Sequence, residues 1–255
     1  MRSTVTPMSN SSSRPTALVL RAPGTNRDGE AAFALEQAGA SARIVLLNDV
    51  LEAPSILHQA QLLALPGGFS FADALGAGRL FALELTTRLS EELGKFVADG
   101  KPVIGICNGF QALVRTGLLA GGEHRGALGR NNHGRFVCDW VTLQPSSQLC
   151  IWTAGLNDEI ECPIAHGEGR FVCNDDALRA LTTNDQIALR YSSANPNGSV
   201  ADIAGICDAS GLVLGLMPHP EDHTIARQHP QFSRGHRGGL GLGLFQAGVR
   251  HAKDL

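Results

Sequence analysis

The stretch KPVIGICNGFQALVR, residues 101–115, joins an apolar run to a run of helix formers through one cysteine. Residues 102–107 read as a buried strand, and 108–121 as a helix. Cys107 stands at the joint. A side chain placed where a parallel strand turns into a helix is lifted above the carboxyl edge of the sheet, as at a nucleophile elbow. A helix N-terminus beside the sulfur stabilises its thiolate. Gly105 and Gly109 let such a turn close and the helix pack tightly, and the N–H of Asn108 points where an oxyanion would form. The plain alternative is a buried structural cysteine.

Upstream, TALVL (16–20) is a short apolar run that ends in the turn-forming RAPGTN. DGEAAFALEQAG (28–39) has helical spacing, ARIVLL (42–47) is a second strand, and QLLALPGG (61–68) a third, stopped by Pro-Gly-Gly. Residues 80–100 read as one long amphipathic helix closed by Gly100. Apolar strands alternating with helices mean a parallel sheet covered on both faces.

After about residue 130 the pattern changes to short strands between turn residues: RFVCDWVTLQ, QLCIWTA, IECPIAHG, IALRYSS, GSVADIAGICD and LVLGLMPHP, with a last helix in GLGLGLFQAGVRHA. This half is expected to extend the same sheet with antiparallel hairpins. No internal repeat or linker appears, so residues 16–255 read as one domain. The Ser/Thr/Pro-rich residues 1–15 read as a disordered tail.

Composition excludes several classes. With 43% hydrophobic and 18% charged residues over 255 positions, the chain suits a soluble globular protein with a full core. A net charge of -3 gives no basic footprint for nucleic acid. No apolar run approaches the roughly 18 residues that a membrane span needs. Cysteines 107, 138, 150, 162, 173 and 207 are scattered without a CxxC pair, which argues against zinc. With no secretory signal, reduced thiols and a cytoplasmic location are expected.

A thiol nucleophile needs a base, and the base needs an orienting group. In LGLMPHPED an apolar strand runs out at Met217, His219 follows, and Glu221 stands two residues on, within reach of the same imidazole. A surface loop histidine is the ordinary alternative; the pairing with Glu221, in a chain with an elbow cysteine, favours the base. ALPGGFSFAD (64–73) ends a strand in a bare turn, where the Gly68 N–H is a candidate second oxyanion donor.

Cys107, His219–Glu221 and the Pro-Gly-Gly turn together resemble the class I glutamine amidotransferases of the Cys-His-Glu type. APGTNRD, PGGFSFAD, GICNGFQ, AHGEGRF, NPNGSVADIAG and MPHPE, in this order from about residue 16 to 252, resemble one branch of that family. That branch comprises the glutaminase components of the synthase that makes formylglycinamidine ribonucleotide in purine biosynthesis. The resemblance implies an α/β, flavodoxin-like fold: an open, mostly parallel sheet flanked by helices, with an antiparallel extension in the second half. It implies that Cys107 attacks L-glutamine and forms a γ-glutamyl thioester. His219 would protonate the leaving ammonia and activate water, and Glu221 would orient His219. Gly68 and Asn108 would hold the oxyanion, and Gln111 would help hold the substrate.

His166 and Glu168 stand as site or interface residues, with a structural loop as the alternative; Asn197, Gly198, Ser199 and Asp202 are a turn that could face a partner. The resemblance implies no cofactor in this chain. ATP and magnesium belong to a large synthetase subunit, the partner, with a small third subunit left open; no Walker-type loop is present here. The chain reads FSFADALGAG where the family often has FSYGDYLRAG, which bears on partner contacts. The His/Arg-rich segment 223–241 is open between a phosphate or acidic-partner contact and a solvated loop. His223, His229 and His236 are not expected to bind metal, because their spacing suits no single helix face and no acidic ligand flanks them. Two other readings are an amidotransferase for another acceptor and a redox sensor built on Cys107. A sensor needs no positioned base, so the His219–Glu221 pair argues against it.

Overall fold

The computed structural model describes residues 14–119 and 126–255. The tail expected over 1–15 therefore lies outside the described residues, except for Arg14 and Pro15. These two are tied down. Arg14 Nη2 donates to the Glu36 carbonyl at 3.0 Å, and the Pro15 carbonyl accepts from Ser41 N–H at 2.8 Å.

The first half runs β1 (Thr16–Arg21), α1 (Asp28–Gln37), β2 (Ser41–Leu46), α2 (Leu47–Glu52), β3 (Leu62–Leu65), α3 (Arg79–Arg88), α4 (Ser90–Ala98), β4 (Val103–Ile106) and α5 (Asn108–Thr116). The second half runs β5 (Ala127–Gly129), β6 (Val137–Pro145), β7 (Ile160–His166), β8 (Arg170–Val172), α6 (Asp175–Thr183), β9 (Ile187–Tyr191), β10 (Ile203–Cys207), β11 (Val213–Leu216) and α7 (Leu242–Lys253). Nine strands form one sheet in the order β2-β1-β3-β4-β11-β10-β9-β6-β7, and β5 pairs with β8 separately.

Strands β2, β1, β3, β4 and β11 are parallel neighbours, and β10, β9, β6 and β7 continue the sheet antiparallel. The parallel part has the flavodoxin-like order, with β11 as its fifth strand. Every residue of β3, β4 and β11 is buried, so helices cover both faces there. Strand β7 alternates buried with half-buried positions, the pattern of a sheet with one wetter face. The sheet is therefore the expected one: parallel first, antiparallel in extension.

Four local readings are corrected. The helix expected over 80–100 is two, broken at Leu89 (φ -128°, ψ 6°). Its apolar residues Phe81, Leu85, Leu89 and Leu93 advance in steps of four, which drift by about 40° per step around a straight helix. Breaking the helix lets both halves reach the core. QLCIWTA (148–154) forms turns, not a strand. The Cys150 carbonyl accepts from the N–H groups of Thr153 and Ala154, and the buried Trp152 Nε1 donates to the Leu212 carbonyl at 2.9 Å. Helix α6 was not anticipated, although its signal is local: Asn174 caps it by accepting from Ala177 N–H at 2.8 Å, and Asp175 and Asp176 fill its first turn. The helix expected over 108–121 ends at Thr116, and residues 120 and 121 lie outside the described residues.

Candidate active site

Cys107 sits between β4 and α5 with φ 50° and ψ -104°, a conformation that non-glycine residues avoid. Its N–H donates to the Leu216 carbonyl at 2.8 Å and its carbonyl accepts from Gln111 N–H at 3.0 Å, so both flanks of the turn are pinned. The turn works only with small neighbours. A Cβ on Gly109 would lie 2.0 Å from the Leu65 carbonyl oxygen, and one on Gly105 would lie 2.9 Å from the Gly109 backbone. Helix α5 thus packs backbone against sheet, as the glycine spacing predicts.

His219 and Glu221 follow β11, the strand beside β4. His219 Nδ1 and Glu221 Oε1 are 2.7 Å apart, with His219 3% and Glu221 0% exposed. The pairing puts the ring proton on Nδ1 and leaves the other nitrogen for Cys107. Burial opposes the charged ring, but the Glu221 carboxylate and then Cys107 outweigh it, and His219 is raised well above the ordinary histidine value. Behind them Asp222 is pushed up to about 6, by burial first and Glu221 second.

The Pro-Gly-Gly turn after β3 closes the site from the side. Gly68 (φ 107°) abuts Asn26, and a bridge joins it to Thr25 at the exit of β1. Gly67 lies against both Cys107 and His219: a Cβ there would lie 2.7 Å from His219 Cε1 and 3.3 Å from Cys107 Cβ. Beyond it, Phe71, Ala72 and Asp73 take positive φ in succession. Asn108 ties this turn to α5. Its Nδ2 donates to Asp73 Oδ1 at 2.9 Å and to Gln111 Oε1 at 3.1 Å, while Ser70 Oγ donates to its Oδ1.

Together these groups line a cavity of about 330 Å³. Gly68, Cys107, Asn108, Gln111, His166, Glu168 and His219 all reach it, with Glu221 directly behind His219. Gln111 Nε2 donates to the Glu168 carbonyl. His166 is held by Asn131, whose Nδ2 donates to the carbonyls of Arg135 and His166, each at 2.9 Å. Asn131 Oδ1 therefore accepts from His166 Nδ1, 3.1 Å away, and His166 Nε2 is buried without a partner among the described residues. Burial first, and His219 second, push His166 down to about 4, so the ring is neutral at neutral pH.

The other candidates lie outside the cavity. Asn197 Nδ2 donates to the Gly169 carbonyl at 2.9 Å, and Ser199 Oγ accepts from Phe171 N–H at 2.9 Å. They support the 166–170 segment from behind, with Gly198 packed on Asn132 and Asp202 accepting from Asn195. His223, His229 and His236 do gather, and Glu161 from the sheet edge joins them, a neighbour that chain spacing hides. His229 Nε2 and His236 Nε2 lie 3.1 and 3.2 Å from the same Glu161 oxygen. Their rings stack at 3.9 Å with a 26° tilt, and Gln231 N–H donates to His229 Nδ1, which leaves the ring proton on Nε2. The cluster puts three possible ligand atoms within reach of one metal ion, so the acidic neighbour missing from the chain spacing is present in space. It ties segment 223–241 over the outer edge of β7, where Glu161 N–H also donates to the Gly239 carbonyl at 2.8 Å.

Sequence reasoning passed over Asn26, Arg27, Gly67, Asp73 and Phe136, which also border the cavity or its Cys107 and His219. Asn26, Arg27, Gly67 and Asp73 stand inside the quoted APGTNRD and PGGFSFAD motifs; only the meeting of the β1 and β3 exits shows their use.

A CobB/CobQ-like glutamine amidotransferase domain matches residues 14–252. The phosphoribosylformylglycinamidine synthase subunit PurQ of Treponema denticola is 46% identical, covering 93% of this chain and 99% of the relative. The PurQ subunit of Dehalococcoides mccartyi is 41% identical, covering 95% and 100%. Among solved structures, PurLQS from Thermotoga maritima contains a chain with a TM-score of 0.75 and 36% identity, covering 93% of this chain and 98% of that one. A glutamine amidotransferase from Thermotoga maritima, at TM-score 0.53 and 17% identity over 87% of this chain, shares the fold. With matches of this extent, the chain belongs to the glutamine amidotransferase family, in the branch of the PurQ subunits of phosphoribosylformylglycinamidine synthase.

Proposed function

We propose that this chain is the glutaminase subunit of a phosphoribosylformylglycinamidine synthase. It hydrolyses L-glutamine and passes the ammonia to a large synthetase subunit, which uses ATP and magnesium to convert formylglycinamide ribonucleotide to the amidine. The observation that carries the reading is the elbow cysteine facing a buried, carboxylate-paired histidine in a cavity sized for one amino acid. The likeness to PurQ subunits and to PurLQS supports the acceptor, the synthetase partner and a small third subunit in the assembly. The cytoplasm is the proposed site of action: all six cysteines are unpaired, and no helix of the described residues is long and apolar enough to cross a membrane.

In this mechanism the Cys107 thiolate attacks the side-chain amide carbon of glutamine. The carbonyl electron pair moves to oxygen, held by the N–H groups of Gly68 and Asn108; one such donor contributes about 3 kcal/mol. Protonated His219 gives its proton to the amide nitrogen, and the C–N bond breaks to release ammonia and leave the thioester. Neutral His219 then takes a proton from water, the hydroxide adds to the thioester carbon, and the C–S bond breaks. Glutamate leaves, and the thiolate–imidazolium pair is restored. Glu221 holds the His219 tautomer throughout. Gln111, anchored on Asn108 and Glu168, forms part of the wall that holds the substrate.

Reconstitution tests this reading. The chain, the synthetase subunits, ATP-magnesium and formylglycinamide ribonucleotide are combined with glutamine isotopically labelled at the amide nitrogen. Labelled amidine is expected, with Cys107→Ala abolishing the glutamine-driven reaction and sparing the ammonia-driven one. No glutamine-dependent amidine from the complete assembly would sink the proposal.

A further inference from the structure

We propose that Arg27 binds the α-carboxylate of the amino-acid substrate and so selects a free amino acid over a simple amide. The inference rests on the glutaminase reading and names a group that sets its specificity.

Arg27 is the only lysine or arginine on the cavity wall among the described residues. It ends the turn between β1 and α1, and two carboxylates hold its guanidinium: Glu30 at 3.1 Å and Asp222 at 3.5 Å. Both contacts run to Nη1. Among the described residues no carboxylate pairs with the Nε–Nη2 edge, and that edge matches a carboxylate with two parallel donors. The side chain is 38% exposed, open to an incoming ligand, while its anchors fix where the fork lies. The same wall carries two carboxylates, Asp73 and Glu168, and the neutral His166. Apart from the Cys107–His219 pair, the wall carries one cation and two anions, a set that complements a zwitterion. The cavity volume of about 330 Å³ is at the lower end for small-molecule sites, which suits a single amino acid with both charged ends inside.

The test reads occupancy at Cys107 and needs no product assay. The full chain is treated with iodoacetamide, which carries no carboxylate, and alkylation of the Cys107 peptide is followed by mass spectrometry. Protection is titrated with L-glutamine, with 4-aminobutanamide, which lacks the carboxylate, and with glutaramate, which lacks the α-ammonium. Arg27→Gln is expected to weaken protection by glutamine and glutaramate about 10- to 100-fold, the range for one charge-assisted pair. Protection by 4-aminobutanamide should stay within about twofold. Arg27→Lys keeps the charge but loses the fork, so it should show the same selectivity with a smaller loss; it decides the matter should Arg27→Gln not fold. An equal loss for all three ligands, or none, overturns the assignment. Failure of glutamine to protect the unaltered chain would instead overturn the glutaminase reading, and this inference with it.

Discussion

At Cys107 the chain holds a backbone conformation that costs on the order of 1–3 kcal/mol in order to present one sulfur to one imidazole. Two substitutions probe that contact. Gly67→Ala would set a methyl 2.7 Å from His219 Cε1, against a ring that Glu221 pins from the other side. The ring must turn away from the sulfur, and glutaminase kcat in the assembled synthase should fall at least about 100-fold with the fold retained. An unchanged kcat would show that the ring has room. Glu221→Gln removes the charge that offsets burial, so the His219 pKa should drop below its present raised value. The His219 ring resonances, followed by NMR against pH, should titrate at lower pH in the variant; the same midpoint in both would contradict the assigned cause. Cys107, His219 and Glu221 could be singled out from the sequence because each stands at the end of an apolar run and two are near neighbours. Arg27 and Gly67 could not, because their use depends on two strand exits, far apart in the chain, meeting over one cavity.

Among the elements, α5 is held to the sheet by absence of side chain. Gly109→Ala would place a methyl 2.0 Å from the Leu65 carbonyl oxygen, a backbone atom that cannot swing aside. The substitution should destabilise the protein by more than about 2 kcal/mol, measured by urea unfolding, and reduce turnover with it. A loss below about 0.5 kcal/mol would mean that α5 shifts freely, and the elbow geometry with it. The central parallel strands β3, β4 and β11 were legible because full burial leaves near-continuous apolar runs. The antiparallel half misled locally. In QLCIWTA the apolar residues serve a buried turn around Trp152, and run length alone does not separate the two. Helix α6 hid among polar residues although its cap was in plain view at Asn174-Asp175-Asp176. The break at Leu89 follows from how two helix halves meet one core, which helical periodicity does not encode.

For the whole molecule, the cavity sets a pH dependence of stability. His166 is lowered from 6.5 to about 4, so the unfolded chain binds its proton first on acidification. Its neutral ring contributes fully above about pH 6.5, and that contribution is lost as pH falls toward 4. Asp222, raised from 3.8 to about 6, works in the opposite sense over much of the same window. His166→Gln should therefore lose less stability than the unaltered chain between about pH 6.5 and 4.5, by roughly 2–3 kcal/mol at about 1.4 kcal/mol per pH unit. Urea unfolding at both pH values measures it, and parallel losses in the two proteins would refute it. Free ammonia is wasteful to release, so the isolated chain should be a slow glutaminase that speeds up on assembly with the synthetase. Equal rates alone and assembled would contradict this.

The central claim is that Cys107 attacks a bound glutamine. The most direct test is intact-protein mass spectrometry after treatment with 6-diazo-5-oxo-L-norleucine, a glutamine analogue that alkylates such thiols. One adduct on Cys107, blocked by L-glutamine and missing in Cys107→Ala, is the predicted result. No adduct, even with the synthetase subunit present, or an adduct that glutamine does not block, would contradict it.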